Sequence, residues 1–248
     1  MNSVRSDVEV AVRAAEAAAD ALLPLRTGEL HGRLLGDAGD AAAQRAIAAV
    51  LAGERPGDAV FSEEAADDAR RLSAARVWII DPLDGTREYS DPARHDWAVH
   101  VALWAGGDLV AAAVALPALG EVHVTDPPPR VPERPDRPVR IAVSRTRPPA
   151  EAAAVATALD GELVPLGSAG FKTLAVVRGE VDAYVHSGGM YQWDSAAPVA
   201  IARAAGLVTS RLDGAPLVYN APDPALPDLL VTRPELADRV LAAARAGR

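Results

Sequence analysis

Asp81-Pro82-Leu83-Asp84-Gly85-Thr86 concentrates two carboxylates, a flexible glycine and a hydroxyl within six residues, directly after the apolar run Val77-Trp78-Ile79-Ile80. Pro82 argues against continuing that run as a helix, so it reads as a buried strand with Asp81 and Asp84 on the loop where it emerges. Two carboxylates three residues apart repel each other unless a cation lies between them. Hard oxygen donors suit Mg2+, which keeps several waters and recruits phosphate oxygens. Gly85 lets backbone approach a phosphate closely, and Thr86 adds a hydroxyl and an amide at a helix start, where free amides favour anions. Single Asp-Pro or Asp-Gly pairs punctuate turns. The whole run after a buried strand points instead to a metal site.

Other acidic residues could complete it. Glu63-Glu64 follows the Val60-Phe61-Ser62 strand end, although beside Asp67 and Asp68 it also reads as a solvated charge run. Asp194 precedes a helix and taken alone is an N-cap, whose second oxygen could still coordinate metal. Asp37 and Asp40 frame a glycine-containing turn with the same ambiguity. His31, His95, His100, His123 and His186 show no metal-ligand spacing, and His100, on a strand pattern, reads as structural. No G-x-S-x-G, Walker A or G-x-G-x-x-G run occurs, which removes support for serine hydrolases, P-loop enzymes and dinucleotide-binding folds. The three-residue interval between Asp81 and Asp84 is also wrong for the D-x-D nucleophile of aspartyl-phosphate enzymes.

The elements that must position these groups follow from periodicity. Val4, Val8, Val12, Ala15, Ala19 and Leu22 give a first helix ending before Pro24, and Ala41 to Leu51 a second, with Asp40 as its cap. Short strands fit Ala59–Phe61 and Val77–Ile80. Trp97–Trp104 and Leu109–Leu116 form an antiparallel pair about Gly106-Gly107, and Val122–Thr125 adds a strand. Asp126 to Pro138 holds six prolines and reads as a linker. Beyond it strand and helix alternate: strands Val139–Val143, Leu163–Pro165, Val181–His186 and Leu229–Val231, helices Ala150–Leu159, Ala169–Arg178, Ser195–Ala205 and Pro234–Ala244. That alternation predicts an α/β second half.

The chain has 248 residues, no cysteine and a formal net charge of −9. The first excludes nothing globular; the second excludes disulfides, thiol nucleophiles and Cys-based metal sites. The acidic balance argues against a nucleic-acid partner, but not against a small phosphorylated one. No apolar run is long enough for a membrane span, and the N-terminus lacks a signal-peptide core, so the expectation is a cytoplasmic protein. Lys172 is the sole lysine among 25 basic residues.

Together, Glu63-Glu64, D-P-L-D-G-T at Asp81–Thr86 and W-D-S-A-A-P at Trp193–Pro198 resemble the inositol monophosphatase superfamily of lithium-sensitive, magnesium-dependent phosphatases, over essentially the whole chain. V-W-I-I-D-P-L-D-G-T-R-E-Y-S from Val77, W-A-V-H-V-A-L-W from Trp97 and G-S-A-G-F-K from Gly167 are similar to its 3'(2'),5'-bisphosphate nucleotidase branch. That branch hydrolyses adenosine 3',5'-bisphosphate (pAp), and also acts on 3'-phosphoadenylyl sulfate, in sulfate assimilation.

The resemblance implies a layered αβαβα fold of the α/β (α+β) class. Residues 1–130 would form an α+β part with the metal motif, and 131–248 an α/β part with the Trp193-Asp194 motif and substrate-binding residues. It further implies two or three Mg2+ ions. Glu63, Asp81 and the Leu83 carbonyl would hold the first, and Asp81, Asp84 and Asp194 the second. Thr86 would orient and deprotonate water with an acidic partner. Gly85, Thr86, Ser168, Lys172, Arg145 and Asp194 would bind a small phosphorylated nucleotide, Lys172 meeting the phosphate that is not cleaved. A homodimer is compatible with the family. Where family members carry a lysine and an S-P-V-T-like stretch, this chain reads Leu35-Gly36-Asp37-Ala38-Gly39-Asp40, leaving both Asp40 and Asp37 as candidates for the partner of Thr86. Inositol phosphates and fructose 1,6-bisphosphate are the alternative substrates on the same metal core. A catalytically silent regulator would lack a metal carboxylate or Thr86, and this chain lacks neither.

Overall fold

The computed structural model describes residues 5–248. Val4, placed in the first helix by its periodicity, lies outside the described residues. Two five-stranded sheets alternate with three layers of helices. The first sheet holds β1 (Ala59–Ser62), β2 (Arg76–Asp84), β3 (Ala98–Ala105), β4 (Asp108–Leu116) and β5 (Glu121–Val124), side by side in that order. Only β1 and β2 run parallel; the other neighbours are antiparallel. The second sheet holds β6 (Arg140–Ser144), β7 (Glu162–Leu166), β8 (Ala183–Tyr191), β9 (Val208–Ser210) and β10 (Ala225–Thr232), in the order β7-β6-β8-β10-β9.

Side-chain alternation along the strands builds the layers. Trp78, Ile80, Val99, Val101 and Leu103 point outward and pack with α1 (Asp7–Arg26) and α2 (Gly32–Glu54). Val77, Ile79, Ala98 and Ala102 point the other way, into a core shared with α5 (Ala169–Val177), α6 (Gln192–Ala204) and the near face of the second sheet. Ile141, Val143, Val185 and Leu230 form the far face of that sheet, covered by α4 (Ala150–Leu159) and α7 (Ala237–Ala246). The order is αβαβα, and the central layer, α5 with α6, is buried from both sides.

Four boundary expectations need correction. Pro24 does not end α1, which continues to Arg26. A proline in the last turn costs little beyond one missing N–H, and Arg26 anchors the end by donating to the carbonyls of Tyr89, Asp91 and Arg94. Asp40 is not an N-cap, because α2 starts eight residues earlier, at Gly32. Pro82 does not end β2. The strand runs to Asp84 through a bulge, with Asp81 opposite His100 and Asp84 opposite Ala98, and a bulge tolerates a residue without a ladder N–H. Asp194 is not the N-cap but the third residue of α6, where its side chain accepts from the backbone N–H of the cap, Tyr191. The helix start expected at Thr86 is the four-residue α3 (Thr86–Tyr89), whereas β9 was not anticipated, being too short to carry a period.

Helix α2 crosses α3 at glycines. A Cβ on Gly36 would lie 2.7 Å from Thr86 Cγ2, and one on Gly39 would lie 2.7 Å from Tyr89 Cε1 and 3.0 Å from Leu83 Cδ2. Tyr89 is fully buried, and its hydroxyl donates to the Leu22 carbonyl at 2.8 Å, so its ring cannot yield. Gly39→Ala should therefore destabilise the fold by about 1–3 kcal/mol, as overpacking does. Gly53→Ala, on the same helix but with open space around it, should stabilise by up to about 1 kcal/mol. Urea titrations of the two variants beside the parent check the pair.

Candidate active site

The bulge at the end of β2 faces the first turns of α5 and α6, and the carboxylates meet there. Asp81 is buried, its Oδ1 accepting from the Leu83 amide at 3.1 Å while its Oδ2 has no hydrogen-bond partner among the described residues. The Glu63 carboxyl comes within hydrogen-bonding reach of Asp81. Asp84 Oδ2 accepts from Ser168 Oγ at 2.5 Å and from the Gly170 amide at 2.7 Å, with His100 Nε2 3.3 Å away. Asp194 Oδ2 accepts from the Tyr191 amide at 2.6 Å. Ligand atoms of Asp81, Asp84 and His100 all lie within 4.8 Å of one another.

This crowding of negative charge is visible in the titration of the groups. Burial, then the Glu63, Asp84 and Asp194 carboxylates, push Asp81 well above the usual range. Burial, then Asp84, push Asp194 up to about 8. Glu63 is raised by burial and by Asp84 and Glu64. Four carboxylates, one with a buried unpartnered oxygen, fit divalent cations bound through oxygen: Glu63, Asp81, Asp84 and Asp194 would hold them, with the Leu83 carbonyl from the bulge.

On the opposite side, Thr86 Oγ1 lies 3.4 Å from Asp40 Oδ1 and 3.2 Å from the Leu83 carbonyl. Asp40 is pushed up to about 7 by burial and by Glu64 and Glu63. Asp37, one helical turn earlier, points to solvent with Arg33 at 3.6 Å. Helix α2 thus brings Asp40 to Thr86, and Asp37 is corrected to a surface residue. Gly85 has φ +90°, and a Cβ there would meet Ser168 Cβ at 3.2 Å and Trp97 Cα at 3.4 Å.

Two expected ligand contacts take other forms. Ser168, at φ 45°, spends its hydroxyl donating to Asp84 and accepting from the Phe171 amide at 2.9 Å. Lys172 is 5% exposed, with Nζ donating to the carbonyls of Gly167 at 3.1 Å and Ser168 at 2.6 Å. Burial lowers it to about 8. Its ammonium holds the Gly167–Ser168 turn through these two carbonyls, and Lys172 also lines the cleft at the start of α5. Arg145 does line a cleft of about 330 Å³ with Gly85, Thr86, Arg87, Arg147 and Ser168. Its Nη2 donates to Glu88 Oε1 at 2.8 Å.

Sequence reasoning missed several supports. Asp96 Oδ2 accepts the Gly167 amide at 2.6 Å, holding the same turn from the other side. Arg71, 1% exposed, lies over the Phe61 ring and donates to Asp67, Asn220 and the Ala221 carbonyl, tying the segment after Glu63-Glu64 to the second half of the chain. His100 was read as structural, yet it stands between Asp81 and Asp84. One signal existed: it is the polar member of the inward series Ala98, His100, Ala102.

The chain is also similar to known proteins. Residues 3–247 match the inositol monophosphatase family. The chain is 49% identical to the 3'-phosphoadenosine 5'-phosphate phosphatase of Mycobacterium leprae, covering 97% of this chain and 94% of that protein. It is 53% identical to the protein of that name from Mycobacterium bovis, over 84% and 81% of the two chains. Among solved structures, CysQ from Bacteroides thetaiotaomicron superposes with a TM-score of 0.80 at 25% identity, covering 93% and 98%.

The raised carboxyls give an unusual dependence of stability on pH. Asp194 at about 8 and Asp40 at about 7 both start from 3.8 in the unfolded chain. The folded state therefore holds protons more tightly, and its stabilisation is full below about pH 4 and lost as pH rises through 7 and 8. In chelator, the melting temperature should fall between pH 5.5 and 8.5; Mg2+ should flatten or reverse the trend. Calorimetric melts across that range check it.

Proposed function

The chain belongs to the inositol monophosphatase family, and on that basis we propose that it is a Mg2+-dependent phosphatase that removes the 3'-phosphate of pAp, giving AMP and inorganic phosphate. The observation that carries this reading is the junction of two unlike regions in one cleft. Its lining brings together Gly85 and Thr86, from the run that bears Asp81 and Asp84, and the arginines Arg87, Arg145 and Arg147. A monophosphate would use only the first. A substrate with a second, uncleaved phosphate would use both. The relatives named 3'-phosphoadenosine 5'-phosphate phosphatase support the same substrate.

When bound, divalent cations would supply polarisation of the phosphoryl oxygens and neutralisation of charge on the leaving oxygen. The protein's own groups then have distinct tasks. Thr86 Oγ1 accepts a proton from the attacking water while its own hydrogen faces Asp40. Asp40, raised towards neutrality, matches the working pH of a general base. Gly85, without a side chain, leaves the phosphate room to approach the backbone. The 3'-oxygen leaves with a proton as AMP, and no covalent phosphoenzyme is required.

Arg147 is exposed and has no carboxylate within 4.0 Å among the described residues, whereas Arg145 is tied to Glu88. Arg147→Ala is therefore the cleaner probe of the second phosphate. It should raise KM for pAp about tenfold, or about 1.4 kcal/mol, the low edge of what a hydrogen bond to a charged group contributes, and leave inositol 1-phosphate nearly unaffected. Equal losses on both substrates would remove Arg147 from the subsite. Phosphate release across pAp, inositol 1-phosphate and fructose 1,6-bisphosphate, with Mg2+ and in chelator, tests the reading as a whole. Activity should favour pAp and vanish without metal. Undiminished hydrolysis in verified absence of metal would sink the mechanism.

A further inference from the structure

His100 is a fully buried, polar member of β3, facing the central helical layer. Its Nδ1 lies 3.3 Å from the Trp193 carbonyl, with hydrogen-bonding geometry, and 4.0 Å from Asp81 Oδ2. Its Nε2 lies 3.3 Å from Asp84 Oδ2 without that geometry and has no hydrogen-bond partner among the described residues. The ring thus touches the elements that carry three of the four clustered carboxylates: Asp81 and Asp84 on β2, and the residue before Asp194 on α6.

Gly170 is fitted to this ring. A Cβ at position 170 would stand 2.0 Å from His100 Nε2, 2.8 Å from Cε1 and 3.0 Å from Cδ2. No real side chain tolerates such separations, and a ring enclosed in the sheet cannot swing away. The Gly170 amide also donates to Asp84 Oδ2 at 2.7 Å, so any displacement of this backbone moves a carboxylate. The same closeness leaves no room for a cation beside Nε2, which places the imidazole behind Asp84 rather than among the ligands.

We propose that His100 is a positioning residue of the metal centre. Its Nδ1–H, donated to the Trp193 carbonyl, holds the first turn of α6, and with it Asp194, in register with Asp81 and Asp84; Gly170 supplies the space the ring needs. A carbonyl can only accept, so the contact needs the hydrogen on Nδ1. The carbonyl accepts it, and the opposite ring edge packs against Asp84. Outer groups that orient ligands this way commonly govern metal affinity by one or two orders of magnitude.

The proposal rests on the reading of Asp81, Asp84 and Asp194 as cation ligands, so the test separates the two. Mn2+ serves as a spectroscopic probe, with free ion counted by electron paramagnetic resonance. His100→Val should weaken Mn2+ binding about tenfold, the lower end for an outer-shell group, while His100→Asn, whose amide N–H can stand where Nδ1 stands, should retain most of it. His100→Gln, with its amide one carbon further out, should behave like His100→Val and replaces it if that variant does not fold. Unchanged affinity in His100→Val, or Asn no better than Val or Gln, would overturn the role of His100. If Asp194→Asn also binds Mn2+ normally, the ligand reading itself fails.

A second arm needs no metal. Gly170→Ala alone should lower the melting temperature sharply or prevent folding, and adding His100→Ala should recover much of the loss, a non-additivity that contacting residues show. Strictly additive losses would overturn the fit between ring and glycine.

Discussion

Mutual repulsion among buried carboxylates is the constraint from which the rest of this molecule can be understood. Glu63, Asp81, Asp84 and Asp194 come from the turn after β1, from β2 and from α6, and burial, then their proximity, pushes three of them up in pKa. Left alone, such a cluster would open. It is held together by contacts made almost entirely on its outer side. Asp84 receives Ser168 Oγ and the Gly170 amide, Asp194 receives the Tyr191 amide, and Asp81 receives Leu83 N. Each of these bonds uses one oxygen and leaves the inner side to cations. Burial that would be costly for an unpaired charge becomes a means of demanding a counter-ion.

The supports are themselves supported. Lys172 and Asp96 grip the Gly167–Ser168 turn through its carbonyls and an amide, which sets Ser168 for Asp84. Arg71 anchors the segment beyond Glu63-Glu64 to residues 220 and 221, so the turn that follows β1 is steadied by the second half of the chain. Phe61 meets Trp193 edge-on with centroids 5.1 Å apart, joining β1 to α6 just beside Glu63 and Asp194. Small residues do the complementary work. Gly36 and Gly39 let α2 close on α3, and that approach carries Asp40 to Thr86.

Much of this was legible in the residues alone. The hydrophobic runs located nine of the ten strands and the long helices, because burial on a sheet face or helix stripe repeats with a fixed period. The Asp81–Thr86 run declared its chemistry because unpaired carboxylates after a buried strand have few other uses. The family resemblance added Glu63 and Asp194, which individually looked like a charge run and a cap. Breakers misled where tertiary contacts outweighed them: Pro24 sits inside α1, and Pro82 in a bulge that β3 stabilises.

What the chain could not declare by itself were choices between equivalent groups and the outer shell of the site. Asp37 and Asp40 are indistinguishable by type and neighbourhood; only the rotation of α2 against α3 directs one to Thr86 and the other to solvent. A lone lysine suggested a ligand for phosphate; that its ammonium also satisfies two carbonyls of the adjoining turn is visible only in the fold. His100 and Gly170 stand 70 residues apart, and neither type signals that one ring occupies the other's missing side chain. Local periodicity reports burial along an element and composition reports which charges exist. Which charge faces which is set by the packing of elements distant in sequence, and that is decided only when the layers close.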